Sequence, residues 1–415
     1  MRRCIALSVA VLLLVCGFAV PAEAQGCPRL RVPGAEYQVV ACLADLTTAG
    51  TVASGHTNPA DYAGLTSAGL PQQAGVPGIQ IDGYFPDSSR TNTNHGWNHD
   101  AQYVIRLPEK WNGGLVVAGS PGVRAQYAND KAISDWVLAH GYAFAATDKG
   151  NTGVNFFADG VRPGDAIVEW NQRTTQLTRA ARAVVAQRYG RPPREVIAAG
   201  VSNGGYLVRW QLENHPELYT RGVDLEGTLW AADGPNLLTF LPPAIKGYEQ
   251  QSPTAIVAAG FDPRSDFLWD YHYTVYWKLT QRIYTAELDP TYTGKEADYD
   301  YASRPAAQHA VRRIALTGRI GRPLVTLHGT LDSLLPITQD SDVYAAMVSR
   351  AGRARLHTYQ RVEAGNHVDG LVDAYPDRLT PLVPLLQKAI SGHRPLPVHS
   401  PPFHPPRRQP GAVAS

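Results

Sequence analysis

The chain is poor in the features that mark several protein classes. It has 2 Met and 4 Cys among 415 residues, and 38 Lys+Arg nearly cancel 36 Asp+Glu, for a formal charge of +2. A grip on nucleic acid needs a basic surplus to neutralise phosphates, so no nucleic-acid partner is expected. At 44% hydrophobic and 18% charged residues, the chain is not a charge-driven disordered one. Long apolar runs are also lacking. Beyond Ile5 to Val20, no stretch stays apolar for the ~18 residues that a membrane crossing requires.

That one run is an address. Arg2 and Arg3 precede it and Pro21-Ala22-Glu23-Ala24 follows, giving a basic start, a short hydrophobic stretch and a small-x-small cleavage site. Residues 1–24 are expected to be a secretory signal. The mature protein is expected to be soluble and secreted, in the extracellular or periplasmic space, with no membrane association. Cys4 and Cys16 fall inside the signal, which leaves Cys27 and Cys42 as an even pair in an oxidising compartment, hence a disulfide. A lipid anchor on Cys27 competes, but Ala24-Gln25-Gly26 matches a lipobox poorly. With two cysteines and no His/Cys cluster, no metal site and no cofactor are expected.

Residues 25–95 are rich in Gly, Thr, Ser and Pro without a sustained period, and read as loops with a few strands. From residue 96 the pattern changes. Apolar strand-like runs at 102–107, 114–118, 142–147 and 196–199 alternate with helical stretches at 130–140 and 171–189. This predicts an α/β fold with a mainly parallel sheet covered on both faces. The alternation breaks after Gly222-Val-Asp-Leu-Glu226 and returns at 323–327 and 355–359, with a last helix near 379–390. Residues 96–230 and 322–394 therefore read as the core, and 231–321 as an inserted helical lid. Ten of the 35 residues at 267–301 are aromatic, so this part of the lid has apolar material to bury. The stretch 395–415 is Pro-rich and reads as an extended tail.

Gly200-Val201-Ser202-Asn203-Gly204 carries the sharpest chemical signal. A strand precedes it and a helix follows, which is the setting of a nucleophile elbow. A serine hydroxyl needs a base, and in that setting the acid and the histidine follow in chain order on loops after later strands. Asp332, after strand 323–327, and His367, after the last strand, fill those slots. Asp340, Asp342, Glu226 and Asp233 are rival acids. The oxyanion hole needs two backbone donors. Asn203 is expected to give one and Ser120, Gly122 or Val123 the other, since Pro121 has no N–H.

The residues Thr147-Asp148-Lys149-Gly150-Asn151, Arg188-Tyr189-Gly190, the elbow, His328-Gly329-x-x-Asp332 and Gly365-Asn366-His367 carry a resemblance. The chain resembles α/β-hydrolases, and more narrowly the tannase and feruloyl esterase family with the related hydroxybutyrate-oligomer hydrolases. That resemblance implies Ser202 as nucleophile, Asp332 as acid and His367 as base. It also shows a departure. Tannases join cysteines beside the serine and the histidine in a disulfide, whereas Val201 and Asn366 stand at those positions here.

The expected activity is secreted hydrolysis of phenolic, short-chain or hydroxyalkanoate-oligomer esters, with a small-molecule or oligomeric ester as partner. One alternative is a prolyl-oligopeptidase-like peptidase, since Gly-x-Ser-Asn-Gly-Gly also matches that elbow. About 100 residues ahead of the core cannot build the propeller those enzymes carry, at ~40 residues per blade. The other alternative is a non-catalytic binding protein of the same fold. Of the aromatic residues in the lid, Trp269, Tyr273, Trp277 and Tyr284 share a helical face. Most read as anchors, with one or two of the four expected to line the acyl pocket, and Trp269, Tyr273 and Trp277 are taken as the candidate substrate contacts. Asp289, Glu296, Asp298 and Asp300 match no calcium loop and read as acidic surface.

Overall fold

A computed structural model describes residues 27–87, 97 and 99–392. The stretch read as a signal, residues 1–24, and the Pro-rich stretch from 395 lie outside the described residues.

Strands β1 (Tyr37–Leu43), β2 (Gly78–Tyr84), β3 (Gln102–Pro108), β4 (Gly114–Gly119) and β5 (Ala143–Thr147) open the sheet. Strands β6 (Glu195–Val201), β7 (Arg221–Leu225), β8 (Leu324–Gly329) and β9 (His357–Val362) complete it. The order is β1-β2-β3-β5-β4-β6-β7-β8-β9. β1, β2, β3 and β5 pair antiparallel, and every pair from β5 to β9 is parallel.

All residues of β4 and β5 are buried, because a parallel sheet is covered on both sides. The helices ahead of the insertion are α1 (Thr48–Ala53), α2 (Asp135–Ala139), α3 (Asp165–Tyr189) and α4 (Asn203–Asn214). Between β7 and β8 come α5 (Leu237–Glu249), α6 (Pro253–Ala258), α7 (Asp266–His272), α8 (Lys278–Leu288) and α9 (Pro305–Arg312). The last are α10 (Ser341–Arg350) and α11 (Val383–Ile390). β4 shows how the two faces divide. Leu115 and Val117 pack with Leu177 and Val184 of α3, Leu207 of α4 and the insertion, while Val116 and Ala118 pack with Leu138 and Leu386 of α2 and α11. The period of two along the strand thus sorts its side chains into two cores.

The N-terminal segment is more ordered than its composition suggests. Gln80 and Asp82 on β2 are polar yet buried. Gln80 Oε1 accepts from Arg106 Nε at 2.9 Å, and Asp82 accepts from the Tyr127 hydroxyl at 2.5 Å. Cys27 and Cys42 form a disulfide with Cα atoms 5.8 Å apart, fastening the incoming chain to β1. His99 stacks on Tyr84 at a centroid separation of 3.9 Å and stays with that outer strand. Among the described residues, no helix is long and apolar enough to cross a membrane.

Candidate active site

β6 ends at Val201 and α4 begins at Asn203, so Ser202 alone makes the turn. Its φ of 58° lies in the region that non-glycine residues rarely adopt, a strain typical of an exposed nucleophile at an elbow. The turn closes only because its neighbours lack side chains. A Cβ on Gly200 would meet the Gly204 backbone at 2.3 Å, and one on Gly204 would meet the Gly119 carbonyl at 2.5 Å.

The structure brings Ser202, His367 and Asp332 into one hydrogen-bonded line. His367 Nε2 is 3.0 Å from Ser202 Oγ, and His367 Nδ1 is 2.8 Å from Asp332 Oδ2. Asp332 is buried and well supplied with donors. Its Oδ1 accepts from Leu334 N and Leu335 N, both at 2.8 Å, while His328 Nε2 lies 3.1 Å from Oδ2. Burial alone would raise this carboxyl; the charge of His367 and the hydrogen bonds of His328 and His367 outweigh it and hold the group well below the usual carboxylate range.

The rival acids are otherwise engaged. Glu226 Oε1 accepts from Gly329 N at 3.0 Å, and Oε2 stands 3.8 Å from His367 Nδ1 with no hydrogen-bond partner. Burial, and then the charge of Asp332, push Glu226 well above its ordinary value, whereas Asp332 is held below its own. The donor count decides which carboxyl carries the charge. Asp340 pairs with Arg209 at 2.9 Å, Asp342 with Arg361 at 2.9 Å, and Asp233 is a surface group.

Glu226, Asp332 and His367 gather closely enough to hold a metal ion, but both oxygens of Asp332 already serve N–H donors. A second carboxylate group, Asp87, Asp159 and Glu169, gathers beside Arg173, which pairs with Asp87 at 3.0 Å and Glu169 at 2.8 Å. Of the acidic residues between β7 and β8, Asp289 pairs with Arg304 and Asp298 with Lys246.

Ser120 must be withdrawn as an oxyanion donor. Its N–H extends the β4–β5 pairing, donating to Thr147 O at 3.1 Å, and the residue is fully buried. Its hydroxyl donates to Arg124 O at 2.6 Å and accepts from Lys149 Nζ at 2.5 Å, so it braces the turn at 120–124 from below. Burial pushes that lysine down to about 7. Asn203 and Gly122 both face the cleft, and among the described residues neither N–H has an acceptor. The Asn203 side chain ties the two together, donating from Nδ2 to Gly122 O at 3.0 Å.

The cleft above Ser202 has a volume of about 190 Å³. Its wall is mostly apolar, from Val201, Leu237, Leu279, Ile283, Leu334 and Leu335. Trp269, Tyr273 and Trp277 do not line it, which corrects their assignment as substrate contacts. Trp277 is fully buried and donates to Ser333 O at 2.7 Å, Trp269 donates to Ser265 Oγ at 2.9 Å, and Tyr273 bonds Glu249 at 3.0 Å. A π-turn at Tyr273–Trp277 joins α7 to α8, and the stripe that faces the cleft is Tyr276, Leu279, Thr280 and Ile283 at ordinary helical spacing. Tyr276 and Tyr284 line the cleft instead. The departure from tannases acquires a local meaning. Val201 adds apolar wall, and Asn366 Oδ1 accepts from Ser333 N at 3.2 Å.

A sheet of this order with a serine elbow after β6 and a histidine after β9 has the α/β-hydrolase fold. Residues 89–220, which include Ser202, match the family model described as tannase and feruloyl esterase. The fold is similar to that of feruloyl esterase B from Aspergillus oryzae, with a TM-score of 0.52, 12% identity, and 73% of this chain and 77% of that one covered. It is equally similar to an esterase from Aspergillus oryzae, at a TM-score of 0.52, 11% identity and 88% coverage of both chains. No curated protein matches the chain in sequence.

Proposed function

We propose that this protein hydrolyses carboxylic esters through an acyl-enzyme on Ser202. The family match over residues 89–220 and the fold shared with feruloyl esterase B support the reading as a carboxylic ester hydrolase. The observation that supports the serine mechanism is the line from Ser202 Oγ through His367 to Asp332, at 3.0 and 2.8 Å, opening into the cleft. His367 takes the serine proton as Ser202 attacks the ester carbonyl. Asp332 holds the imidazole with Nε2 free to accept, and stabilises the imidazolium that forms. The N–H groups of Asn203 and Gly122 receive the developing oxyanion, aided by the α4 N-terminus. His367 then returns the proton to the leaving alcohol, and activates water to release the acid.

The cleft favours a compact acyl group. Its volume of about 190 Å³ falls below the roughly 300–1,000 Å³ of pockets that hold drug-sized ligands. Short-chain, hydroxyalkanoate and single-ring phenolic acyl groups remain the substrate classes of this reading. Helices α5–α9 act as its lid, since Leu237, Leu279 and Ile283 supply part of the wall. Secretion after loss of residues 1–24 agrees with the Cys27–Cys42 disulfide.

A fluorophosphonate probe tests the mechanism. Wild type should be labelled and Ser202→Ala should not. A folded wild type that resists the probe would favour a binding protein. A panel of the three ester classes with proline-containing peptides tests the activity, and faster peptide turnover would overturn the esterase reading.

A further inference from the structure

Tyr284 sits on α8 of the insertion, ringed by Phe156, Trp170 and Trp230 at centroid separations of 5.5, 6.4 and 5.4 Å. Its hydroxyl is 2.5 Å from Asn203 Nδ2. The direction of that hydrogen bond follows from elementary chemistry. Gly122 O is a carbonyl and can only accept, so the end of the Asn203 amide that meets it at 3.0 Å must be the NH₂. The same NH₂ faces the tyrosine, so the phenol oxygen accepts. Asn203 Oδ1 is occupied in turn by the Thr228 hydroxyl at 3.0 Å.

The tyrosine's own proton is therefore left over. Among the described residues no acceptor receives it, and Tyr284 lines the cleft that also holds Ser202, Asn203 and Gly122. A buried O–H donor without an acceptor is costly, and such a group in a cleft is expected to meet one on the ligand. The walls around it are apolar, and the acceptor that every ester brings is its carbonyl oxygen.

We propose that the Tyr284 hydroxyl is a third donor to the ester carbonyl oxygen, contributed by the inserted helix α8 and aimed by the Asn203 side chain. This rests on the esterase reading above. One amide then organises the whole oxyanion site. Asn203 offers its own N–H, grips the Gly122 carbonyl and orients the tyrosine. Burial pushes the phenol above its ordinary value, so it remains a donor through the working pH range. The insertion thereby joins the chemistry as well as enclosing it.

The test is Tyr284→Phe, which keeps the ring and its packing. Losing a donor that strengthens as charge develops should lower kcat on the order of 10- to 100-fold for every ester, with KM little changed. The tetrahedral adduct of a trifluoromethyl ketone should weaken by the same factor, while inhibition by the product acid should not. Tyr273→Phe, at a hydroxyl that bonds Glu249 away from the cleft, is the control and should retain wild-type kinetics. A loss carried by KM alone, a loss confined to esters with polar acyl groups, or unchanged ketone inhibition would overturn the proposal. Each of these presupposes an active wild type. A folded wild type that turns over no ester would instead overturn the esterase reading and this inference with it.

Discussion

His328 Nε2 and His367 Nδ1 converge on the same oxygen, Oδ2 of Asp332, at 3.1 and 2.8 Å. The aspartate is thus held from two sides by imidazoles. His328 also bonds Ser341 Oγ through Nδ1 at 2.7 Å and lies 2.9 Å from Leu335 O. Burial would push His328 down, but the hydrogen bond and charge of Asp332 outweigh that and raise it. It is a positioning residue, since it acts on the acid rather than on substrate.

Replacing it tests this. His328→Gln should lower kcat roughly 10- to 100-fold with KM unchanged, because a misplaced carboxylate weakens transition-state stabilisation and leaves ground-state binding alone. A rise in KM with unchanged kcat would show that His328 only shapes the cleft.

The choice between the two carboxyls near His367 is equally accessible. Asp332→Asn should lower kcat by about 10⁴, because the wrong ring nitrogen then carries the proton. Glu226→Gln keeps the shape of a side chain whose Oε2 makes no hydrogen bond among the described residues, and should cost less than about tenfold. The opposite ranking, in variants with wild-type thermal midpoints, would move the acid to the loop after β7.

Much of this arrangement was legible in the sequence, for reasons the structure makes plain. The elbow depends on Gly200 and Gly204, whose missing side chains are local and visible. The sheet strands from β4 onward are continuous apolar runs because both their faces are covered. The outer strands hid their nature. Gln80 and Asp82 imitate a solvent face on β2, yet they are buried against Arg106 and Tyr127, partners distant in sequence. The Ser120 N–H could be excluded only once β4 and β5 were known to be neighbours. On the insertion the stripe that faces the cleft is Tyr276, Leu279, Thr280 and Ile283, joined by Tyr284, so a face chosen by its aromatic residues lies beside the lining one rather than on it. The i, i+4 spacing of His328 and Asp332 was on view within a quoted motif, and only the loop geometry turned it into a contact.

Arg209 of α4 holds the sheet's carboxyl end together. It meets Asp224 Oδ2 of β7 at 2.6 Å and Asp340 Oδ1 at 2.9 Å, with all three side chains essentially inaccessible. Its guanidinium lies 4.5 Å from the Tyr344 ring centroid. Arg209→Met would leave two carboxylates buried without their cation. The expected loss is about 3–5 kcal/mol, read as a lower urea midpoint. A loss below about 1 kcal/mol would mean that the carboxyls are satisfied by their other donors, Thr326 and Leu229.

Asp135 on α2 offers a test of pH-dependent stability. The residue is buried, accepts from Thr48 N at 2.8 Å and meets Thr48 Oγ1 at 2.5 Å, with no cation bonded to it among the described residues. Burial raises it to about 7, against the opposing hydrogen bond from Thr48. The folded state therefore keeps a proton that the unfolded chain releases near pH 4. Its contribution to stability is fully present below pH 4 and is lost as pH rises through about 7. Asp135→Asn stays neutral at every pH and keeps a carbonyl for Thr48 N and an NH₂ for Thr48 Oγ1. Relative to wild type, the variant should gain about 1–3 kcal/mol between pH 4 and pH 8, in urea unfolding followed at both values. Other buried carboxyls such as Asp369 and Glu287 titrate in both proteins, so they cancel in the difference. An equal stability difference at the two pH values would mean that Asp135 ionises normally in the folded protein.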